Sequence, residues 1–273
     1  MTYLIADCGS TKTSWVLTDG TSRQSFESIG INPVRDSEAD IEKALPDIVP
    51  PVSVIYFYGA GCIPPYADIV RQVLERRFPE AEVHVESDLL GAAQALCGTH
   101  EGIACIMGTG SNSCLYDGRH IVENVSPLGW ILGDEGSGAV LGRRLVGDVL
   151  KGQLPPALCK AFTDETGLSR ADIIGKVYRE PMPNRFLASL VPFLDRHRKE
   201  EEIHSFLVGE FRRFLRRNVA QYRRPDLPVS FVGGIAHSFR EELAEALRAE
   251  GFTLGRILKQ PIEAMVDFLM EMA

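Results

Sequence analysis

Asp7-Cys8-Gly9-Ser10-Thr11-Lys12-Thr13-Ser14-Trp15-Val16-Leu17-Thr18-Asp19-Gly20 and Met107-Gly108-Thr109-Gly110-Ser111-Asn112-Ser113-Cys114-Leu115-Tyr116-Asp117-Gly118 are one pattern written twice. A short apolar strand leads into each turn, over Tyr3–Asp7 and Gly102–Met107. A turn of small residues comes next, then a second strand over Thr13–Thr18 or Ser111–Tyr116. Asp-Gly, a strong hairpin signal, closes both. Third strands are expected at Ser22–Ser28 and His120–Val125. A repeat of this kind, about 100 residues apart, predicts two similarly built α/β lobes.

Working outward, the first half continues as helix, strand, helix, strand, helix. Ser37–Ile48 has helical spacing, Val52–Tyr58 is β-rich, and Pro64–Phe78 is a helix with proline near its start. Ala81–Glu86 is a short strand, and Leu89–Leu96 is helical. The second half is mostly helical from Asp134 to Tyr222, with a long helix at Val140–Leu150. A strand at Val229–Val232, a helix at Phe239–Glu250 and a last helix at Ile262–Met272 follow. The expected lobes are residues 1–99, completed by the helix within 262–273, and residues 100–261 with a helical insertion.

The 273 residues are comfortable for two domains, and such a chain buries roughly three quarters of the surface it exposes when unfolded. Apolar (45%) and charged (24%) fractions are those of an ordinary globular protein. The net charge of −8 argues against a nucleic-acid partner. No apolar run approaches the roughly 20 residues of a membrane helix, and Met1–Ile5 is too short for a leader. Six cysteines at 8, 62, 97, 105, 114 and 159 form no C-x-x-C pair, which suits reduced core residues in a cytoplasmic protein. The Arg-rich stretch Phe211–Arg224 is expected to be the solvated face of a helix whose apolar side is Phe206, Leu207, Phe211, Phe214 and Leu215.

A phosphate cradle needs several backbone N–H groups aimed at one point and side chains small enough to admit the phosphate. Gly9, Ser10, Thr11, Lys12 and Thr13 supply one, and Gly108, Thr109 and Gly110 a second. Asp7, at the end of its strand, is placed to hold magnesium. Neither turn is a Walker loop, and neither opens a helix as a dinucleotide fingerprint does. Asp88 follows a strand and precedes a helix, so it is either the helix N-cap or a general base. Gly129-Trp130-Ile131-Leu132-Gly133-Asp134-Glu135-Gly136-Ser137 is either a helix start capped by Asp134 or a ligand wall. Asn32 and Gly59 stand in turns where a sugar could lie. Gly233-Gly234 ends a strand, or leaves room for an adenine.

Taken in order, D-x-G-[GS]-T-K-T, GTGSN, GW-x-x-GDEGS and VGG resemble the N-acetylglucosamine kinase family. That family lies in the BadF/BadG/BcrA/BcrD-type ATPase group of the actin, Hsp-type chaperone and sugar kinase superfamily. The resemblance implies an α/β fold of two ribonuclease-H-like (actin-like ATPase) lobes with a nucleotide cleft between them. It implies ATP and magnesium at Asp7, the Gly9–Thr13 turn and Gly108–Gly110, and adenosine at Gly233 and Gly234. It implies Asp88 as catalytic base. It places the amino sugar at Asn32, Gly59, Thr109, Gly129, Trp130 and Asp134. Cys8 and Ser10 stand where members often carry glycine.

The function expected is phosphoryl transfer from ATP to a hydroxyl of N-acetylglucosamine or a close relative. Two other readings stay open: an ATP-driven activator of a radical dehydratase or reductase, and a non-catalytic ATP or sugar sensor. The expected partners are a small-molecule sugar and, among proteins, at most a second copy of the chain.

Overall fold

The computed structural model describes residues 1–9, 11–48 and 51–272. Ser10 of the first turn lies outside them. By contacts the chain divides into two units: residues 1–100, 117–121 and 260–273 form the first, and residues 101–116 and 122–259 the second.

In unit 1 the order is β1 (Tyr3–Cys8), β2 (Lys12–Thr18), β3 (Arg23–Ile29), α1 (Glu38–Ala44), β4 (Val54–Gly59), α2 (Ala67–Arg77), β5 (Glu82–Ser87) and α3 (Asp88–Cys97). The sheet runs β3-β2-β1-β4-β5, antiparallel across the first three strands and parallel across the last three. The helix expected over Ser37–Ile48 stops at Ala44, because Pro46 bars the helical region to Leu45. Its start is sharp, with Ser37 and Asp40 forming a reciprocal capping box.

Side chains alternate across a strand. Leu4, Ala6 and Cys8 therefore face one way, joining Trp15, Ile41, Val70 and Leu74 in a core beneath α1 and α2. Ile5 and Asp7 face the other way, towards α3 and the last helix of the chain, α13 (Ile262–Met272). That helix packs on α3, β1 and β2 through Met265, Val266 and Leu269.

Unit 2 repeats the plan. Its strands are β6 (Gly102–Met107), β7 (Ser111–Tyr116), β8 (Ile121–Glu123), β9 (Val229–Val232) and β10 (Leu254–Leu258). Their order is β10-β9-β6-β7-β8, which is the order of the first sheet with each strand replaced by its counterpart. The third strand expected at His120–Val125 shrinks to three residues. Asn124 turns its amide onto Asn112 Oδ1 (2.9 Å) and the Ser113 carbonyl (2.7 Å), replacing ladder bonds with side-chain ones.

Between β8 and β9 run α4 (Gly129–Leu132), α5 (Gly138–Leu150), α6 (Pro156–Thr166), α7 (Arg170–Tyr178), α8 (Pro183–Ala188), α9 (Val191–Arg196) and α10 (Glu201–Arg217). After β9 come α11 (Gly234–Ser238) and α12 (Arg240–Glu250). One core holds Met107, Leu141, Phe193, Phe211, Phe231 and Phe239 together. The strand β10 was not expected. It is half-buried and short, and Gly255 lets it approach β9, since a Cβ there would meet Ser230 Oγ at 2.2 Å.

The arginine face of α10 corrects an expectation. It is not simply solvated: Arg212 and Arg216 both hold Glu250, at 2.6 and 2.8 Å, and Arg217 binds the buried Glu135. No helix among the described residues is long and apolar enough to cross a membrane.

Candidate active site

In unit 1 the parallel pairing sets Cys8, Gly59 and Ser87 level across three strands. The residues just beyond these carboxyl ends, where open α/β sheets place their ligands, are Gly9, Ala60 and Asp88. Two strand spacings, about 10 Å, separate Cys8 from Ser87.

The capping question at Asp88 is decided here. Ser87 caps α3, its hydroxyl accepting from Leu90 N at 3.2 Å, and Asp88 is the first helical residue. Its carboxylate is therefore not the cap. Asp7 faces the same side of the sheet, and the two acids interact. Burial pushes Asp7 up to about 7, the Asp88 charge raises it further, and Lys12 opposes the rise. Burial likewise lifts Asp88 to about 6, against the pull of backbone N–H groups at Leu89 and Asp88. Asp7 and Asp88 are half-buried as residues, and their carboxyl groups are largely buried. A pair of acids held this way favours a cation or a proton between them.

Cys8 ties the turn to its surroundings. Its sulfur accepts from Thr13 Oγ1 (3.0 Å) and Ile31 N (3.2 Å) and lies 3.3 Å from the Ile31 carbonyl; burial pushes the thiol up to about 11. Thr13 is fully buried, with its hydroxyl also 3.0 Å from the Ile29 carbonyl. Lys12 points along the sheet surface, with Nζ 2.5 Å from Glu27. The turn itself closes through Gly9 N to the Lys12 carbonyl (3.0 Å).

Gly30 supports the turn from beneath. Its N–H donates to the Thr11 carbonyl at 3.1 Å, and a Cβ at position 30 would stand 2.3 Å from Gly9 O and 2.6 Å from Thr11 N. Asn32 and Gly59 flank the same region. Asn32 Oδ1 accepts from Val34 N (3.1 Å) in an Asx turn, and its Nδ2 donates to nothing among the described residues. A Cβ on Gly59 would strike Cys62 Sγ at 2.6 Å.

In unit 2 the second turn is held by a helix start. Ser137 caps α5, accepting from Val140 N at 3.2 Å, so Asp134 is not the cap either. The first amides of α5 donate to the turn: Gly138 N to the Gly108 carbonyl (2.8 Å) and Ala139 N to the Thr109 carbonyl (3.1 Å). Gly233, at φ +127°, presses against Met107, whose carbonyl would be 2.3 Å from a Cβ there.

The turn has two faces. Gly108 and Thr109 open onto a cavity of about 440 Å³ walled by Gly138, Ala188, Val191, Pro192, Asp195, Gly234, Ile235, Ser238 and Phe239. Gly110 faces Asp134, 3.2 Å from where its Cβ would lie. Asp134 is in the left-handed region (φ 50°), and burial lifts its carboxyl to about 6 although Ser111 N–H opposes this. Left-handed backbone recurs at Leu128, Gly129, Asp134 and Gly136, a concentration of strain that functional loops carry. Glu135, next in sequence, is structural: its carboxylate takes Arg217 and Asn218 (3.3 Å). Trp130 packs half-buried on the core. Its carbonyl, and that of Ile131, accept from Arg143 (2.6 and 3.1 Å).

Unit 1 thus gathers Asp7, Gly9, Thr11, Lys12, Thr13, Asn32, Gly59 and Asp88 at one sheet end. Unit 2 gathers Gly108, Thr109, Gly110, Asp134, Gly233 and Gly234, with Gly129 and Trp130 on the neighbouring α4. Sequence reasoning missed Gly30, Ser87, Ser137 and the α8–α9 wall. The Ser87-Asp88 and Ser137-Gly138 steps carried a cap signal, since serine before a helix is a favoured cap.

Two five-stranded mixed sheets of one topology, each flanked by helices, define the two-lobed actin-like ATPase fold that sugar kinases share. A crystal structure from Porphyromonas gingivalis, of a protein proposed to be an N-acetylglucosamine kinase, matches with a TM-score of 0.95. It is 48% identical, over 98% of this chain and 99% of that one. A protein of the same proposed activity from Chromobacterium violaceum matches at TM-score 0.75 and 22% identity, over 98% of both chains. The ROK family glucokinase of Streptomyces griseus, crystallised with glucose and AMPPNP, matches at TM-score 0.57 and 14% identity, over 100% of this chain and 99% of that one. The last two likenesses show the fold alone. No family profile and no curated protein sequence matches the chain. At nearly half identity over its whole length to the Porphyromonas protein, the chain belongs to the N-acetylglucosamine kinase-like family.

Proposed function

We propose that the protein is an ATP-dependent kinase that phosphorylates a hydroxyl, the 6-hydroxyl, of N-acetylglucosamine or a related amino sugar. The observation that carries this reading is Asp88: a carboxylate relieved of capping by Ser87, beside a second acid, with a pKa lifted to about 6. A base of that strength is ionised at neutral pH and still takes a proton readily.

In this mechanism Asp88 accepts the proton of the sugar hydroxyl. The hydroxyl oxygen forms its bond to the γ-phosphorus as the bond from that phosphorus to the β-phosphate oxygen breaks, leaving ADP. Backbone N–H groups of Gly9–Thr13 and Gly108–Gly110 orient the phosphates. Thr109 and Gly110 suit this, because their N–H groups have no protein acceptor among the described residues. Glycines 233 and 234 and the cavity beside them take the adenosine. The sugar-binding positions are Asn32 and Gly59 in unit 1, where Asn32 Nδ2 has no acceptor among the described residues, and Thr109, Gly129, Trp130 and Asp134 in unit 2.

The oxygen donors at Asp7 and Asp88, each raised by burial, fit a magnesium ion, with Asp7 the ligand. Such an ion would neutralise charge on the transferring phosphoryl group. Six cysteines with no C-x-x-C spacing suit the reducing cytoplasm, where ATP is the ready donor. Four of them are buried, which disfavours the cluster-bearing activator.

The test is a panel of hexosamines with ATP and magnesium, for wild type and Asp88→Asn. The variant should lose about 10²–10⁴-fold in kcat while still binding ATP. Wild-type turnover in the variant, or no hexosamine phosphorylated by the wild type, overturns the reading.

A further inference from the structure

The cavity beside the second turn is mostly apolar, with Val191 and Pro192 of α9 on one side and Gly234 and Ile235 of α11 on the other. A flat, weakly polar ring system fits between such walls. One acidic side chain lines it, that of Asp195. We propose that Asp195 selects the nucleoside. Its carboxylate accepts hydrogen bonds from donors that a nucleoside in the cavity presents, either ribose hydroxyls or an exocyclic amine. This rests on the ATP-dependent kinase reading above.

Three observations carry it. Asp195 keeps its acceptor capacity: the nearest cation, Arg198, stands 3.7 Å away, beyond hydrogen-bond range. Arg198 is committed elsewhere, donating to the Ser238 carbonyl at 3.0 Å and pairing with Glu241 at 2.9 Å. It therefore joins the end of α9 to the end of α11 and holds the two walls at a set separation, with Asp195 on the rim. Finally, Ala188 sits beside Gly138 at the phosphate turn, a Cβ on that glycine lying 3.2 Å from it. Asp195 lies seven residues further on, in α9, and lines the same cavity as Gly108 and Thr109 of the turn.

A site that hydrogen-bonds a donor discriminates against an analogue lacking it, because the acceptor is then left without that partner; Asp195, about half exposed at the rim, is resolvated in part, so the discrimination is modest. The experiment compares ATP, 2′-deoxy-ATP, 3′-deoxy-ATP and ITP as phosphoryl donors, with wild type, Asp195→Asn and Asp195→Ala. The corresponding diphosphates are titrated calorimetrically in parallel. Wild type should prefer ATP over at least one analogue by about 3- to 10-fold, the net worth of an ordinary hydrogen bond. Asp195→Ala should abolish that preference, raising KM for ATP, and Asp195→Asn should keep part of it. Loss against the deoxy analogues assigns the contact to ribose, and loss against ITP assigns it to the amine. Equal effects on all four nucleotides, or a preference that survives Asp195→Ala, overturn the proposal. If no sugar is phosphorylated, the kinase reading fails, and the diphosphate titrations still decide whether Asp195 selects the nucleoside.

Discussion

The two glycine turns occupy the same place in two sheets of the same topology, and they are built differently. In unit 1 four residues lie between the paired Cys8 and Thr13; in unit 2 three lie between Met107 and Ser111. The strand before the first turn ends in Asp7-Cys8, whereas its counterpart ends in Ile106-Met107. The first turn rests on Gly30 and beside two acids; the second hangs from the amides of α5 and opens onto a cavity. One repeat has specialised in charge and the other in space. The strand order sets where a site can form, and the few residues at the strand ends set its chemistry.

Swapping the acid for its counterpart tests this most severely. If Asp7 holds magnesium as proposed, Asp7→Ile should cost about 10³-fold or more in kcat/KM, since a bound metal ion can contribute several kcal/mol to a transition state. Activity near wild type would show that the acid is not what separates the two turns.

The glycines that buttress each turn come next. Gly233→Ala forces a side chain onto a φ of +127° and against Met107 O, so it should destabilise by about 2–4 kcal/mol in chemical denaturation. Gly30→Ala should cost about 1–3 kcal/mol and displace the first turn. Gly108→Ala, with nothing within 4 Å of its Cβ, should leave stability within about 0.5 kcal/mol and weaken nucleotide binding instead. If all three behave alike, the turns are not supported in the way described.

Acidity separates the units more gently. If Asp88 is the base proposed above, it acts ionised, and kcat/KM should fall about tenfold per pH unit below about 6. Asp7 binds its proton more tightly folded than unfolded, its pKa moving from 3.8 to about 7. That stabilisation is complete below pH 3.8 and is lost as pH rises through 7. Asp7→Asn should therefore stabilise the ligand-free protein at pH 8, by about 1–2 kcal/mol once relaxation around the buried carboxylate is allowed for, and do little at pH 4. Thermal melts across pH check the sign.

The smallest effect belongs to the caps, where the two halves agree. Ser87→Ala and Ser137→Ala should each cost about 1 kcal/mol. A much larger cost at Ser137 would mean that α5 carries the second turn alone.

Much of this architecture was legible in the chain. The alternation Leu4, Ala6, Cys8 against Ile5, Asp7 puts the acid on the opposite face from the α1–α2 core before any coordinates are consulted. Asp19 and Asp117 announce the hairpins, and both accept from backbone N–H groups two and three residues on. Both loops nevertheless span four residues, 19–22 and 117–120, rather than a tight pair; in the first, Asp19 also accepts from the Thr21 and Ser22 hydroxyls. Beyond such neighbours the chain is silent. Nothing near Arg217 says that it belongs to Glu135 rather than to solvent, 82 positions away.

The sequence by itself determined the duplicated strand–turn–strand plan, the two small-residue turns and the acids beside the first. These rest on periods of two and of three to four residues and on turn chemistry, which are local properties of the chain. Tertiary structure alone decided that Ser87 and Ser137 do the capping and so leave Asp88 and Asp134 available. It also decided that Gly30 lies under the first turn, and that α8 and α9 wall a cavity beside the second. Each of these depends on which of several equivalent local partners the packing brings within hydrogen-bond or van der Waals reach, and that choice is made only when distant segments meet.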